Sequence, residues 1–597
     1  MRHSHVNPFT ASTCACVALL LPIAGCGGFR AKSIEERINS TLAKTDDKIR
    51  ADGLASTRTD KSQYRNALTP TKLKPSSLSL APGTTNPPAA ALVFNPANEK
   101  RDVAERLRRF AAVEGVILAE SFDGASPPAA PQPTPNARQI NLKQAFEIAQ
   151  RTGRELLNAE DEYVMATIRL LVERHLWGPR LFNDTTVGLA GTGTGGNFEH
   201  ALDIINSLRV TQRLPYGGEV EAAWIVRAAD QLREQTTGGY RQSSSIVLSG
   251  SIPLLRGAGD IAREDLIQSE RNLIYQARSF ERFRRQHLVS LAADYFSILQ
   301  TRSTITNQQR QLYSLRSLEK STAAKVDAGR LEAFELGIAS NRVQGALSDL
   351  SSLVDRHIFE LERFKIRLGL SVDEAITITE DIIDLPDPEA DMVQAANLAL
   401  EFRLDLQNDR DRLDDARRTV SNARNLLLPD LRLAGTIGIP TPVDDPTGGL
   451  AISADDLNYG ATATLSLPLD RENERLNLRS QMVMLQRLTR DYEQARDNII
   501  VAVRDTLRGV DNARIQLIIA EKQVEINRER VRGNKLRIDT INTQTIVDSE
   551  NDLLASENQR DGARTALRNA VLNYLLASDQ LRVGRDGSFV PLPGMTP

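Results

Sequence analysis

The sequence predicts a mainly α-helical chain with a membrane β-barrel portion, made by duplicating one helix–strand–strand–long-helix unit. Three observations lead there. Only 5% of the 597 residues are aromatic while 25% are charged, a composition of long polar-faced helices rather than a β-rich globule. Self-similarity at fixed offsets runs through residues 140 to 585. Short runs of alternating aliphatic and small polar residues lie between long stretches of three-and-four spacing. The balance of 74 basic and 77 acidic side chains lacks the positive surplus that a nucleic-acid partner requires. No apolar stretch reaches the roughly 18 residues of a transmembrane helix.

Residues 1–25 read as an export signal: Arg2 supplies the positive start and Cys16 to Ala24 the apolar run. The run ends Ile23-Ala-Gly-Cys26-Gly-Gly, which resembles a bacterial lipobox. Cys26 is thus the expected lipid-attachment residue, anchoring the mature chain to a membrane outside the cytoplasm. The absence of Asp after Cys26 directs such a lipoprotein to the outer membrane. The three cysteines, Cys14, Cys16 and Cys26, all lie in this segment, so the rest of the chain has no thiol chemistry. Residues 26–139 read as a proline-rich tether with short helices over Arg30–Ile49 and Glu99–Glu120.

Two repeats follow, 140–370 and 371–585, with a C-terminal tail over 586–597. Ala145, Ile148, Ala149, Leu156, Pro179 and Leu181 recur 250 residues later as Ala395, Leu398, Ala399, Leu406, Pro429 and Leu431. Ser251-Ile-Pro253 matches Ser466-Leu-Pro468, and Gly369 matches Gly584, each at 215. The change of offset places one insertion in the first repeat, an extra hairpin or loop over about 191–241. Within it, Pro215-Tyr-Gly-Gly218 reads as a turn.

Leu431, Leu433, Ile437 and Ile439 alternate with Arg432, Ala434 and Thr436, and Ile246, Leu248 and Ile252 alternate with Val247, Ser249 and Ser251. Such strands suit a wall between lipid and water, and four per chain are expected. An ordinary half-buried sheet would give the same pattern. The long helices are expected over Asp260 to Lys325, with Leu273, Ala277, Phe280, Leu291, Tyr295 and Ile298 on the seam, and over Arg471 to Thr540. In the second, Tyr492, Ala495, Ile499, Ala502, Thr506 and Val510 are the expected seam, with a stutter at Ala502-Thr506-Val510. Each would be roughly 100 Å long at 1.5 Å per residue.

Leu142-Lys-Gln-Ala-Phe-Glu-Ile-Ala149, Leu428-Pro-Asp-Leu431, Pro253-Leu-Leu-Arg-Gly-Ala-Gly259, Tyr295 and Ala328-Gly-Arg-Leu-Glu-Ala-Phe-Glu335 together resemble the TolC family of outer membrane efflux and secretion ducts, in its lipoprotein form. The resemblance implies a homotrimer with a shared β-barrel and an α-helical coiled-coil barrel. It implies a passive exit duct for tripartite efflux or type I secretion, energised by an inner-membrane pump through a periplasmic adaptor (membrane fusion protein). Helix–barrel junctions would fall at Pro179, Pro253, Pro429 and Pro468. The tip, gate and adaptor-docking turns would hold Asp327, Gly329, Glu332, Glu335, Asp539, Asn542 and Asp548. Asn542 stands where the family has glycine, a place Asn fills because it also visits left-handed backbone angles. A lipid-anchored periplasmic coiled-coil adaptor or scaffold would share the helices but not the lipid-facing strands.

No enzyme, metal or cofactor is expected. Gly191-Thr-Gly-Thr-Gly-Gly196 satisfies G-x-G-x-x-G and precedes a helix-like Phe198–Ile205, but a dinucleotide site needs continuing β-α-β units. The tract reads better as a loop tip. Of the six histidines, His175, His200, His287 and His357 lack ligand spacing, and His287 on an apolar seam reads as a core residue. Charge runs such as Asp409–Asp415 read as solvated helix faces.

Overall fold

A computed structural model of the chain describes residues 34–51, 137–194, 197–231, 241–380, 391–441, 454–537 and 541–582. Cys26, the expected helix over Glu99–Glu120, Asp539 and Gly584 lie outside these residues. Helix α1 spans Ile34–Ala51. The first repeat then runs β1 (Arg138–Ile140), α2 (Leu142–Thr152), α3 (Arg154–Leu176), β2 (Arg180–Thr194), β3 (Asn197–Arg213), β4 (Glu219–Gln231), β5 (Arg241–Pro253), α4 (Glu264–Asp327) and α5 (Ala333–Leu368). The second runs β6 (Ile376–Ile378), α6 (Met392–Phe402), α7 (Leu404–Asn425), β7 (Asp430–Pro440), β8 (Asn458–Ser466), α8 (Glu472–Leu536) and α9 (Thr543–Ala577). The starts of α2, α3 and β2 recur 250 residues on at α6, α7 and β7, so the duplication is structural.

The extra hairpin is β3–β4, and it joins the sheet. One six-stranded antiparallel sheet has the order β2-β3-β4-β5-β7-β8, which corrects the expected four strands to six. The helix-like Phe198–Ile205 is strand β3, paired with β2 from Asn197 to Thr211. Its spacing of apolar residues fits either period over so short a run, and cross-strand pairing decides it.

Local sequence explains the helix starts. Asn141 caps α2 by accepting from Gln144 N at 2.8 Å, and Gln144 Oε1 accepts from Asn141 N at 3.1 Å, a reciprocal capping box. Helix α4 has 64 residues and α8 has 65, each about 100 Å of rise. The expected α4 seam is buried throughout, from Leu273 to Ile298. The α8 seam is shifted: Ile499, Val503, Leu507 and Val510 are buried, while Ala502 is exposed. Two consecutive steps of four therefore begin at Ile499, three residues before the place expected.

The main core lies at the waist, where α2, α6 and the parallel pair β1–β6 pack on mid-α4 and on the ends of α5 and α9. Tyr295 is fully buried there and donates its hydroxyl proton to Thr379 O. Nearer the sheet, Leu42 of α1 packs with Leu156, Tyr163, Leu170, Leu273 and Phe280. The short helix expected over Arg30–Ile49 is thus α1, and it is docked, because its four-residue spacing of Ile38 and Leu42 presents an apolar face.

Helix α5 ends at Gly369 in the left-handed region, φ 75°, where Leu370 N donates to Lys365 O at 2.9 Å. A β-carbon at Gly369 would stand 1.9 Å from Thr152 O, so only glycine fits. Helix α9 ends with the same bond pattern, Gln580 N to Leu575 O at 2.9 Å, but its left-handed residue is Asp579, φ 58°. Gly584 is therefore not the counterpart of Gly369; Asp579 is. Its carboxylate pairs with Arg285 at 3.1 Å, and Arg285 and Arg284 both pair with Glu281, at 2.9 and 3.0 Å. All four side chains are buried. Burial pushes the Asp579 carboxyl up to about 6, with Arg285 and Arg282 opposing.

Candidate functional site: an amphipathic sheet, its junctions and the helix tips

Directly paired residues of an antiparallel sheet point to the same face, so the register sorts every strand position. Leu181, Val210, Ala222, Leu248, Ile437 and Tyr459 lie in one continuous row across all six strands. Ile252, Leu433 and Ala463 lie in another on the same face, as do Leu431 and Leu465. The shared face of Leu431, Leu433, Ile437 and Ile439 and that of Ile246, Leu248 and Ile252 are as expected. Large members are exposed: Val187 at 65%, Leu248 at 45% and Ile437 at 46%.

The opposite face is polar. Arg180, Thr211, Glu221, Ser249, Thr436 and Gly460 form one of its rows. Cross-strand ion pairs Arg209–Asp184 at 2.6 Å, Arg227–Asp203 at 2.9 Å and Arg180–Glu219 at 3.6 Å stud it. One polar island interrupts the apolar face, where Asn206 donates to Asn183 at 3.0 Å and to Thr185 at 2.7 Å. Elsewhere that face presents aliphatic, alanine, glycine and aromatic side chains between Ala222 and Val226 and between Ile246 and Leu465; the polar exceptions in β5 are Gln242, near the far end of the strand, and Ser244, which accepts from Trp224 Nε1 at 2.9 Å.

All four junction prolines stand between helix and sheet. Pro179 and Pro429 each precede the first residue of a strand, β2 and β7. Pro253 closes β5, and Pro468 follows β8 by two residues. Proline lacks the N–H a helix would need and steers its predecessor to extended backbone, so it ends the helical approach. Below the strands, Leu254 N still donates to Leu431 O at 2.8 Å. The expected turn Pro215–Gly218 joins β3 to β4 at this same end, with Gly259 N donating to Tyr216 O at 3.0 Å. Gly218 sits at φ 89°, and a β-carbon there would come within 1.8 Å of Ser251 O.

At the other end, Asp327 is the last residue of α4 and Gly329 follows in the left-handed region at φ 67°. Glu332 is the residue before α5, and Glu335 lies in its first turn. Asn542 does not take the left-handed angles expected of it. It is the N-cap of α9, φ −69° and ψ 154°, accepting from Thr545 N at 3.0 Å, the place Glu332 holds before α5. Glu335 ties the two turns together by accepting from Thr543 N at 3.3 Å. Asp548 accepts from Gln544 Nε2 at 2.7 Å. Phe334 is 63% exposed between these acids, and nothing in the sequence marks it, because a single aromatic in a charged run carries no pattern.

The glycine-rich tract gives no phosphate cradle: Gly191 to Thr194 belong to β2, which runs antiparallel to β3. His287 is buried, with Nδ1 3.3 Å from Glu155, and burial lowers its pKa. Burial, with Arg302 nearby, lowers His357 to about 4. Both are neutral core residues at pH 7. No group of three metal-ligating side chains occurs among the described residues.

Comparison with known proteins agrees with this architecture. Residues 395–582 match the family described as outer membrane efflux protein. Solved structures align over most of the chain. They include the CmeC outer membrane channel of Campylobacter jejuni (13% identity, 73% of this chain and 85% of that one, TM-score 0.57) and the outer membrane protein VceC of Vibrio cholerae (13%, 73% and 95%, 0.56). The open-state MtrE outer membrane channel of Neisseria gonorrhoeae is similar (15%, 73% and 88%, 0.55). No curated protein matches by sequence. The chain is TolC-like: it has the fold of these channels, and its second repeat carries the sequence match to the efflux family.

Proposed function

We propose that the chain is one protomer of a trimeric exit duct in the outer membrane, passing substrate passively while an inner-membrane pump supplies the energy. The observation that carries this reading is the six-strand sheet, apolar on one face and charged on the other, continuous with helices about 100 Å long. A sheet with that division meets lipid on one side and water on the other. The helices then continue the water-filled path away from the membrane. The family match over the second repeat supports efflux; type I secretion uses the same architecture. Cys26 would carry the lipid that anchors the N-terminus. The tip turns around Asp327, Gly329, Glu332, Glu335, Asp539, Asn542 and Asp548 would form the closed end and meet a periplasmic adaptor. The scaffold reading, with helices alone, leaves the apolar sheet face without a purpose.

Reconstitution into a planar bilayer tests the duct. Discrete conductance steps from the purified protein are expected, and none from a variant lacking residues 180–253. A protein that stays in the aqueous phase on detergent partition and never conducts would end the reading.

A further inference from the structure

Strands β2 and β8 end the sheet order and each has one neighbour. Neither edge is blunted. β2 has 15 residues and β8 has 9, with no Pro or Lys in either, and β8 is exposed along its whole length. Edges that stay free in water are usually short, bulged or guarded by such residues, and a free edge cannot stand in lipid at all. β2 leaves the helix end of the sheet and β8 returns to it. Two copies side by side therefore bring β8 of one antiparallel to β2 of the next.

The duplication supplies the register. β5 and β7 are the seam between the last strand of one repeat and the first strand of the other. β8 and the next copy's β2 form the reciprocal seam. Inside the chain Ser251 opposes Ala434 and Ser249 opposes Thr436. Carried across the repeat correspondences, this sets Ser466 opposite Asp184 and Thr464 opposite Thr186 of the next copy. Ala463 then meets Val187 and Ala461 meets Leu189 on the apolar face, and the threonines stay on the polar one. A one-residue slip would turn every side chain to the wrong solvent.

The slope agrees as well. Ile437 shares a row with Leu181, whereas its repeat counterpart is Val187, six residues on, after four strand steps. The closing register makes ten residues over six steps. With about 3.3 Å along a strand and 4.8 Å between strands, both slopes give a tilt of roughly 45–50°, a little steeper than the approximately 35–45° of most outer-membrane barrels.

We propose that copies join through β8 and β2 in the β5–β7 register, so that three chains close one eighteen-stranded barrel. This rests on the trimeric duct reading and fixes its bore, about half as wide again as twelve strands would give. Leu254 N donates to Leu431 O, which makes Ser249–Thr436, and by correspondence Thr464–Thr186, a closely spaced non-hydrogen-bonded pair. Thr186→Cys with Thr464→Cys should give, on mild oxidation in native membranes, a covalent trimer as the main species. Asp184→Cys with Ser466→Cys reads the same register independently should the first pair fold poorly. Single-cysteine variants serve as blanks for Cys26. Pairs shifted by two, Thr464→Cys with Asp184→Cys or with Gly188→Cys, should stay at background. A shifted pair as the main product would overturn the register while leaving the duct intact. A covalent ring of any other copy number would overturn the eighteen strands. No crosslink from any pair, in a protein that is monomeric and does not conduct, would remove the duct reading itself.

Discussion

Asp579 holds a left-handed backbone angle that costs a non-glycine residue about 1–2 kcal/mol, at the place where the first repeat uses Gly369. The ion pair with Arg285 accounts for its presence there. Sequence comparison points instead to Gly584, because glycine is the default for that angle and an ion pair to a residue almost 300 positions away leaves no local signal. Burial lifts the Asp579 pKa from 3.8 to about 6, so the folded state holds that proton more tightly than the unfolded chain. Its contribution to stability is therefore present below about pH 4 and is lost as pH rises through about 6. The urea midpoint of the detergent-solubilised protein should fall across that window, and Asp579→Asn should flatten the fall. Equal slopes in the two proteins would mean that Arg285 keeps the carboxylate ionised throughout.

Elements differed in legibility for a physical reason. β5 and β7 announce themselves by strict alternation, since successive residues point alternately to an apolar and a polar face. β2 and β3 were obscured by a glycine–threonine tract and by apolar spacings compatible with a helix, and only pairing across the hairpin resolves them. The two faces make opposite predictions. Ile437→Lys should cost about 2–4 kcal/mol if it sits near the bilayer midplane and should deplete assembled protein from the outer membrane. Its neighbour Thr436→Lys, turned to the polar face, should assemble normally; equal loss from both would deny the division of faces. In the proposed gate, carboxylates around the axis would hold cations tightly enough to block the passage. Replacing Asp327 and Asp539 with Ala should raise single-channel conductance, and an unchanged value would remove them from the gate. Helix α1 is held by Leu42, 2% exposed. Leu42→Ala should weaken its docking by about 2–5 kcal/mol, read as faster protease cleavage within residues 34–51 and no change in conductance.

On the proposed duct reading, one chain is incomplete. Six strands cannot close a barrel, for which about eight are the minimum, and each unpaired backbone group in lipid costs several kcal/mol. Helix α8 tells the same story, leaving Val501, Ile515, Ile518 and Ile526 more than half exposed on a face that no other element among the described residues covers. The duplication and the long helices were legible from the sequence; the six strands were not, because the inserted hairpin disguised its own membership of the sheet. The most direct test is the mass of the purified protein in mild detergent, corrected for bound detergent and lipid. Three copies in one closed particle is the expected result. A folded monomer that still conducts would contradict both the shared barrel and the duct built from it.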